Sequence, residues 1–396
     1  MSQTADSAPN RRELAQPIIA GLLAAMVGYA STFTLVLAAM TSAGASPQQA
    51  GSALFSVSIA MAILNIAVAS RIKLPVSFAW STPGAAFLLS VGEPAGGFPA
   101  VAGALLVAAG LIVLTGLVKP LSRAIAAIPP ALANAMLAGM LLPLCLAPIN
   151  AVAELPALAL PILLAWMLGL AFARRYAVPI AVLVTGIVLA TTTNLPPGAL
   201  DGAWPSLVFV MPEFTLDAII RIALPIYVVT MASQNLPGIA VLKANGFNVP
   251  PGPIFVLTGI ASGIIAFFGG LTTNLAAITA AICAGPEAHP DPKRRWPAPV
   301  AVGAGYTLLA SLSSLAAAFI VASPPLLIQA VAGLALLSSL ASALAAALTE
   351  EEVRLPAILT FVATASGVTV AGVGAPFWGL VGGIALLLLL RWRKAG

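Results

Sequence analysis

The sequence predicts an all-α polytopic membrane protein, with fourteen membrane-crossing segments arranged as two inverted repeats of seven. Three observations carry this prediction: the composition, the recurrence of apolar runs and the placement of the positive charges. Of the 396 residues, 60% are hydrophobic and 7% are charged, and the mean hydropathy is +1.07. A water-soluble domain carries about 25% charged residues, so most of this protein's surface must face lipid.

Apolar runs recur along the chain, and most are long enough to cross a hydrocarbon core of about 30 Å as a helix. They are continuous and rich in Ala, Leu, Ile and Val, whereas the strands of a membrane barrel alternate polar and apolar residues. The predicted segments cover residues 14–40, 48–70, 76–91, 97–118, 128–147, 156–173, 177–193, 217–241, 252–269, 272–285, 298–321, 325–348, 356–371 and 375–390.

The positive charges predict the orientation, because cytoplasmic loops of membrane proteins are enriched in Lys and Arg. With the N-terminus in the cytoplasm, sixteen of the 17 Lys and Arg residues fall at cytoplasmic ends of segments, and none falls in an outer loop. The exception is Arg221, near the outer end of the eighth segment, where Asp217 one turn earlier predicts an ion pair within the helix. We therefore expect both termini in the cytoplasm and no cleaved signal peptide.

No catalytic residue, cofactor or metal site is predicted. The single histidine, His289, falls in a charged cytoplasmic loop, and no HExxH motif or intramembrane serine–histidine pair occurs, which argues against an enzyme. Cys145 and Cys283 are expected to be packing residues. The net charge of +5 is explained by topology, so no nucleic-acid partner is expected. A channel is disfavoured because few segments have polar faces.

The third segment is predicted to be a short strand followed by a half-helix. Residues 76–80 alternate large and small side chains, which is the period of a strand. Ser81 or Thr82 then supplies a helix cap, and Pro83 suits the first turn. Five extended residues and eleven helical ones span about 33 Å, so the half-helix over about 82–92 begins near the midplane. The alternative is a simple kink in one helix.

The tenth segment repeats this pattern in the opposite direction. Residues 269–274 break the helical pattern, and residues 275–284 are too short to cross the membrane alone. Thr273 or Asn274 is the predicted cap of the second half-helix. Segments three and ten are seven apart and antiparallel in the predicted topology, which is typical of inverted repeats whose broken helices meet at the midplane.

Two half-helix N-termini that face one another predict an anion site without Lys or Arg. Each N-terminus presents unpaired N–H groups and about half a positive charge, which suits a carboxylate. Aromatic side chains flank both caps and offer surface for a ring, unless they face lipid instead. These side chains are Phe78, Trp80, Phe87, Phe267 and Phe268.

Polar residues in the eighth and first segments are further candidates. The adjacent amides of Gln234 and Asn235 are costly at membrane depth unless they are paired, so they bind a carboxylate or fix the neighbouring broken helix. Tyr29 and Thr32 are polar residues within the apolar first segment, and their side chains either pack against a neighbouring helix or bind the ligand. The residues predicted to bind substrate are Ser81, Thr82, Gly84, Phe78, Trp80, Gln234, Asn235, Thr273, Asn274, Tyr29 and Thr32.

Three motifs make the chain resemble the benzoate membrane transporter family of the BenE type: PVSFAWSTPGAA at 75–86, SQNLPG at 233–238 and FFGGLTTNLAAIT at 267–279. The resemblance covers essentially the whole chain. It implies a secondary active transporter of the bacterial inner membrane that imports benzoate, an aromatic monocarboxylate, with protons by alternating access. It also implies similarity to uracil permeases and sulfate-type anion exchangers, and a homodimer.

By analogy with those relatives, the chain divides into a substrate-carrying core domain and a gate domain that often forms the dimer contact. Residues 1–123 and 216–322, which hold segments 1–4 and 8–11, are the expected core. Residues 124–215 and 323–396, which hold segments 5–7 and 12–14, are the expected gate.

The chain departs from the uracil permeases, which place glutamates in the eighth and tenth segments. The matching stretches here contain no carboxylate, which argues against a nucleobase, since ring N–H donors need an acceptor. The proton then travels on the substrate carboxylate or uses Asp217 or Glu213. The alternative function is an anion exchanger or a permease of the same fold for another small anion or a nucleobase.

Overall fold

The structure, a computed structural model, describes residues 11–126, 128–192, 204–286, 288–321, 324–368 and 375–395. These residues form helices, two short strands and single 3₁₀ turns. The helices are α1 Arg11–Ser42, α2 Pro47–Ile72, α3 Thr82–Val91, α4 Gly97–Leu117, α5 Lys119–Ala126, α6 Pro130–Glu154, α7 Pro156–Phe172, α8 Ala177–Thr192, α9 Leu216–Ala244, α10 Pro251–Ala266, α11 Ala277–Ala284, α12 Pro297–Ala310, α13 Ser313–Val321, α14 Pro325–Ala347, α15 Arg354–Ala365 and α16 Ala375–Ala395. The strands are β1 Phe78–Trp80 and β2 Thr273–Leu275.

The helices of the described residues confirm a mostly helical, multi-pass membrane protein. Six of them are long and apolar enough to cross a membrane: α2, α4, α6, α9, α14 and residues Ala375–Arg393 of α16. Large apolar side chains on the outside, such as Phe172 at 86% exposure and Leu308 at 73%, require an apolar surrounding.

Proline starts many of these helices, because a proline in the first turn loses no helical hydrogen bond. Helices α6 and α14 begin at Pro130 and Pro325, and α2 begins at Pro47 behind a capping box. In that box Gln49 N–H donates to Ser46 Oγ, and the Gln49 side chain accepts from Ser46 N–H.

Helix α9 contains two π-helical turns, Ile219–Ala223 and Met231–Asn235. Each turn ends two residues before a proline, Pro225 or Pro237. Proline lacks an N–H and its ring clashes with the carbonyl four residues earlier, so an extra residue in the turn relieves both conflicts. The second turn directs Asn235 towards β2.

Segments three and ten each consist of a strand followed by a half-helix, as predicted. Strands β1 and β2 pair antiparallel, with Ala79 opposite Asn274 at the centre. Two backbone bonds extend the pair: Ser81 N–H donates to Thr272 O and Ala276 N–H donates to Ser77 O, both at 3.0 Å. Helix α3 starts at Thr82, as expected, and α11 starts at Ala277.

The described helices differ from the predicted segments in several places. The predicted segment 298–321 is interrupted by a turn at Ser311 and Leu312, between α12 and α13. A short helix, α5, occupies a predicted loop; its Lys119 and Arg123 are one turn apart, which gives it a polar face suited to a membrane surface. Helix α15 ends at Ala365, and residues 369–371 of the thirteenth predicted segment lie outside the described residues.

Candidate functional site

The candidate site is the crossing of β1 and β2, where α3 and α11 begin. Their N-cap residues, Ser81 and Ala276, lie at opposite ends of the strand pair. Ser81 is opposite Thr272 and Ala276 is opposite Ser77, so the two caps are four residues apart along the strands, about 13 Å. Both helix dipoles point at the strand pair, but one carboxylate can contact only one of the two helix ends.

The α3 end is largely satisfied by its own residues. Ser81 Oγ accepts from the Gly84 N–H at 3.1 Å, which confirms the predicted cap. The first three helical residues are Thr82, Pro83 and Gly84, and Pro83 has no N–H. Only the Thr82 N–H is therefore left without a side-chain acceptor. Ser81 Oγ also lies 2.7 Å from Thr230 Oγ1, which anchors the cap to α9.

The α11 end has no side-chain cap, because its N-cap residue is Ala276. The prediction that Thr273 or Asn274 caps this helix is wrong, since both lie in β2. The Thr273 hydroxyl instead donates to Thr258 O at 3.1 Å in α10. The first three N–H groups of a helix have no intrahelical partner, so α11 presents the stronger anion-binding end through residues 277–279.

Asn274 is fully buried between the two half-helices. Its Nδ2 donates to Leu275 O at 2.7 Å, and its Oδ1 has no hydrogen-bond partner among the described residues. An unpaired acceptor in this position suits a ligand that brings a donor, such as a protonated carboxyl group.

Two buried asparagines hold the outer edges of the strand pair. Asn65 of α2 bonds both the N–H and the carbonyl of Phe78, at 3.1 and 2.9 Å. Asn235 Oδ1 accepts from the Leu275 N–H at 3.0 Å, so this amide fixes the neighbouring broken helix, the second of its two predicted roles. Sequence reasoning missed Asn65; the available signal was an amide near the middle of the apolar stretch 59–69.

Aromatic rings from α1, β1 and α12 form a wall beside the crossing. The Tyr29 and Trp80 rings meet edge to face at 5.1 Å, and Trp80 stacks on Tyr306 at 6.5 Å between centroids. The Trp80 indole N–H donates to Thr32 Oγ1 at 3.0 Å. Tyr29, Thr32 and Trp80 are therefore brought together as predicted, whereas Tyr306 was not foreseen.

The remaining predicted residues divide by exposure. Phe78 is fully buried, as is Phe87. Phe267 stacks on Phe209 at 5.8 Å between centroids, and Phe209 is exposed. Thr82 and Gln234 are half-buried, and neither side chain makes a hydrogen bond to another described residue, so both polar groups are available to a ligand.

The crossing carries no charged side chain: residues 78–91 and 273–284 contain none. Arg221 pairs with Asp217 at 3.6 Å, as predicted. Arg295 is buried and donates to Ala284 O at 2.6 Å, which caps the far end of α11. Across the described ranges, no group of His, Cys, Asp and Glu residues is arranged to hold a metal ion.

Comparisons with known proteins show the family to which the sequence belongs. The profile of the benzoate membrane transport protein family (BenE) matches residues 13–389. Inner membrane protein YdcO of Escherichia coli strain K12 is 38% identical over 94% of this chain and 95% of its own. The benzoate membrane transport protein of Acinetobacter baylyi is 34% identical over the same shares of the two chains.

Solved structures share the fold at low sequence identity. The transmembrane domain of the cyanobacterial bicarbonate transporter BicA is 12% identical, with a TM-score of 0.57 over 93% of this chain and 98% of that domain. The murine anion transporter solute carrier 26 family member A9, inward-facing, is 12% identical with a TM-score of 0.60 over 99% of this chain and 74% of that protein. The chain is a membrane transporter and not an enzyme, and it belongs to the benzoate membrane transport protein family.

Proposed function

We propose that this protein is a secondary active transporter that imports benzoate, an aromatic monocarboxylate, together with protons by alternating access. The observation that carries the proposal is the uncapped start of α11 beside the antiparallel strand pair. The Acinetobacter baylyi relative, named as a benzoate transport protein, supports the choice of substrate.

In the proposed complex the carboxylate lies at the first turn of α11 and the ring packs against the aromatic wall. Backbone N–H groups of residues 277–279 donate to the carboxylate, and the α3 dipole adds to the field from the other end. Gln234 supplies a further donor, and Trp80 and Tyr29 contact the ring, whereas Thr82 lies at the α3 end, about 13 Å away along the strands. The other predicted residues hold this arrangement in place: Phe78, Ser81, Gly84, Asn235, Thr273 and Asn274.

The proposed topology has fourteen crossings as two inverted repeats of seven, in a bacterial inner membrane with both termini cytoplasmic. Residues 1–123 and 216–322 form the core domain, and residues 124–215 and 323–396 form the gate domain and the contact of a homodimer. The antiparallel strand pair supports the inverted relation. A separate hydrophobic cluster that joins Ile162 to Leu327 supports a gate unit.

Proton coupling needs a carrier, and no acidic residue lies in either half-helix or its strand. The proton therefore travels on the substrate carboxyl group or uses Asp217 or Glu213 at the outer rim. A protonated carboxyl group would donate to the unpaired Asn274 Oδ1, which favours the first route.

A second candidate is exchange or uptake of another small anion, which the fold shared with bicarbonate and anion transporters favours. A nucleobase is disfavoured, because the crossing offers no carboxylate to its ring N–H donors.

Uptake by proteoliposomes tests the proposal. Purified protein should accumulate radiolabelled benzoate when the outside is acidic, and should accumulate neither uracil nor sulfate. Benzoate uptake that ignores an imposed pH gradient would remove the coupling to protons. Uptake of sulfate or uracil without benzoate would remove the substrate assignment, and empty liposomes control for passive entry of benzoic acid.

A further inference from the structure

A cavity lies against α1, close to the aromatic wall that Tyr29 forms with Trp80. This cavity of about 350 Å³ is bounded by α1, α8, the α12–α13 region and α14. Tyr29 and Phe33 form its α1 wall, with ring centroids 5.9 Å apart. None of Ser81, Thr82 and residues 273–279 lines it, so the cavity meets the proposed benzoate site only at Tyr29 and does not include the residues around the carboxylate.

The chemistry of this cavity excludes an anion. Its lining residues are apolar apart from the hydroxyls of Tyr29, Thr34 and Thr185, and none carries a charge. Moving a carboxylate into such surroundings without a cation or several donors is strongly unfavourable. Thr185 Oγ1 already donates to Ala181 O at 2.7 Å, and Tyr29 and Ser58 hydroxyls lie 3.3 Å apart.

One hydroxyl group that lines the cavity has no hydrogen-bond partner among the described residues. Thr34 is buried at 6% exposure, and its Oγ1 has no hydrogen-bond partner among the described residues. A buried hydroxyl without a hydrogen-bond partner is uncommon, and it could form a hydrogen bond with the polar group of a ligand. An acyl chain would fill the space but leave this hydroxyl unpaired.

We propose that this cavity binds an uncharged monocyclic aromatic alcohol. The occupant's ring packs on Tyr29 and Phe33, and its polar group pairs with Thr34. A cavity of about 150 Å³ lined by apolar side chains is known to hold benzene, so 350 Å³ accommodates a substituted ring. Because α1 and the α8 and α14 helices meet here, the occupant would wedge between them. This site goes beyond the transport of a carboxylate and does not depend on it.

The chain offers a matched pair of substitutions for the test. Gly186 lines the cavity, and a Cβ at this position meets no atom within 4 Å, so Gly186→Leu places a side chain in the open space. Gly110 of α4 has the same open surroundings but does not line the cavity, so Gly110→Leu is the control. Thr34→Val keeps the shape and removes the hydroxyl.

The experiment measures binding of 4-fluorobenzyl alcohol to purified protein by ¹⁹F NMR, with benzyl alcohol, 1-hexanol and benzoate as competitors. Wild type and Gly110→Leu should bind saturably, Gly186→Leu should lose binding, and Thr34→Val should bind about five- to tenfold more weakly. Benzyl alcohol should compete, while 1-hexanol and benzoate at pH 8 should not.

Non-saturable partitioning, equal loss in both glycine variants, or displacement by 1-hexanol as strong as by benzyl alcohol would overturn the site. The last outcome would assign the cavity to lipid chains. Benzoate binding, measured in parallel on Gly186→Leu, should stay at the wild-type level. If wild type also failed to bind benzoate, the proposed function would be contradicted, whereas the proposal for this cavity would be unaffected.

Discussion

The side-chain amide of Asn65 bonds both backbone polar groups of Phe78: Nδ2 donates to the carbonyl and Oδ1 accepts from the N–H. Asn65 is fully buried, and its Nδ2 also donates to Met61 O at 2.8 Å. One side chain therefore replaces a missing neighbouring strand along the outer edge of β1. Without it, two buried backbone groups would be unpaired, so the strand pair needs α2 to keep its shape.

Asn65→Leu should lower the free energy of unfolding by about 3 kcal/mol, because it leaves the Phe78 N–H and carbonyl buried and unpaired. Benzoate affinity should fall with it. Asn134→Leu is the control, since Asn134 also bonds the carbonyl four residues earlier but is only half-buried and bonds no strand. Thermal unfolding in detergent and equilibrium benzoate binding measure both effects. Equal stability of the two variants would contradict the role of Asn65.

Gly84→Ala should destabilise the protein, whereas Gly110→Ala should stabilise it by about 0.5–1 kcal/mol through helix propensity. A Cβ on Gly84 would lie 2.8 Å from Ser81 Oγ and displace the cap, whereas a Cβ on Gly110 meets nothing within 4 Å. Loss of the cap costs about 1 kcal/mol. Thermal unfolding of both variants checks the opposite signs, and a stabilising Gly84→Ala would contradict this account of the cap.

The bond between Trp80 and Thr32 should appear as a coupling free energy. Trp80→Phe and Thr32→Val each remove one partner, so the double variant should lose about 1 kcal/mol less than the sum of the single variants. Benzoate binding to the four proteins of this cycle measures the coupling. Strict additivity would show that the indole N–H and the Thr32 hydroxyl do not meet in the binding-competent state.

Gln234→Glu should weaken benzoate binding by tenfold or more, because it places a second negative charge near the carboxylate in surroundings of low dielectric constant. Gln329→Glu in α14 is the control: Gln329 is also half-buried, and α14 contributes no residue to the crossing. Benzoate affinity at pH 8 measures the effect. Tighter binding by Gln234→Glu would contradict the proposed position of the carboxylate.

The sequence was sufficient to predict the first broken helix but not the cap of the second. Ser81 and Pro83 have strong and specific preferences for a helix start, so β1 and α3 were predicted with nearly correct bounds. Ala276 has no such preference, and its capping position follows from strand pairing with Ser77, a contact between distant parts of the chain.

Other features depend on tertiary contacts that a sequence pattern does not carry. Residues 217–241 were predicted as one segment, and its two π turns in α9 were not foreseen. The role of Asn65 depends on its distance from Phe78, and the position of Tyr306 beside Trp80 depends on how α12 packs. The low charge content predicted the membrane environment because it is a property of composition alone.

The most direct test of the central claim is equilibrium binding to the purified protein with a panel of benzoate, uracil, sulfate and fumarate. The account predicts saturable binding of benzoate that the other three compounds do not displace, and loss of that binding in Asn274→Leu with the protein still folded. Saturable binding of sulfate or uracil with none of benzoate, or unchanged benzoate affinity in Asn274→Leu, would contradict it.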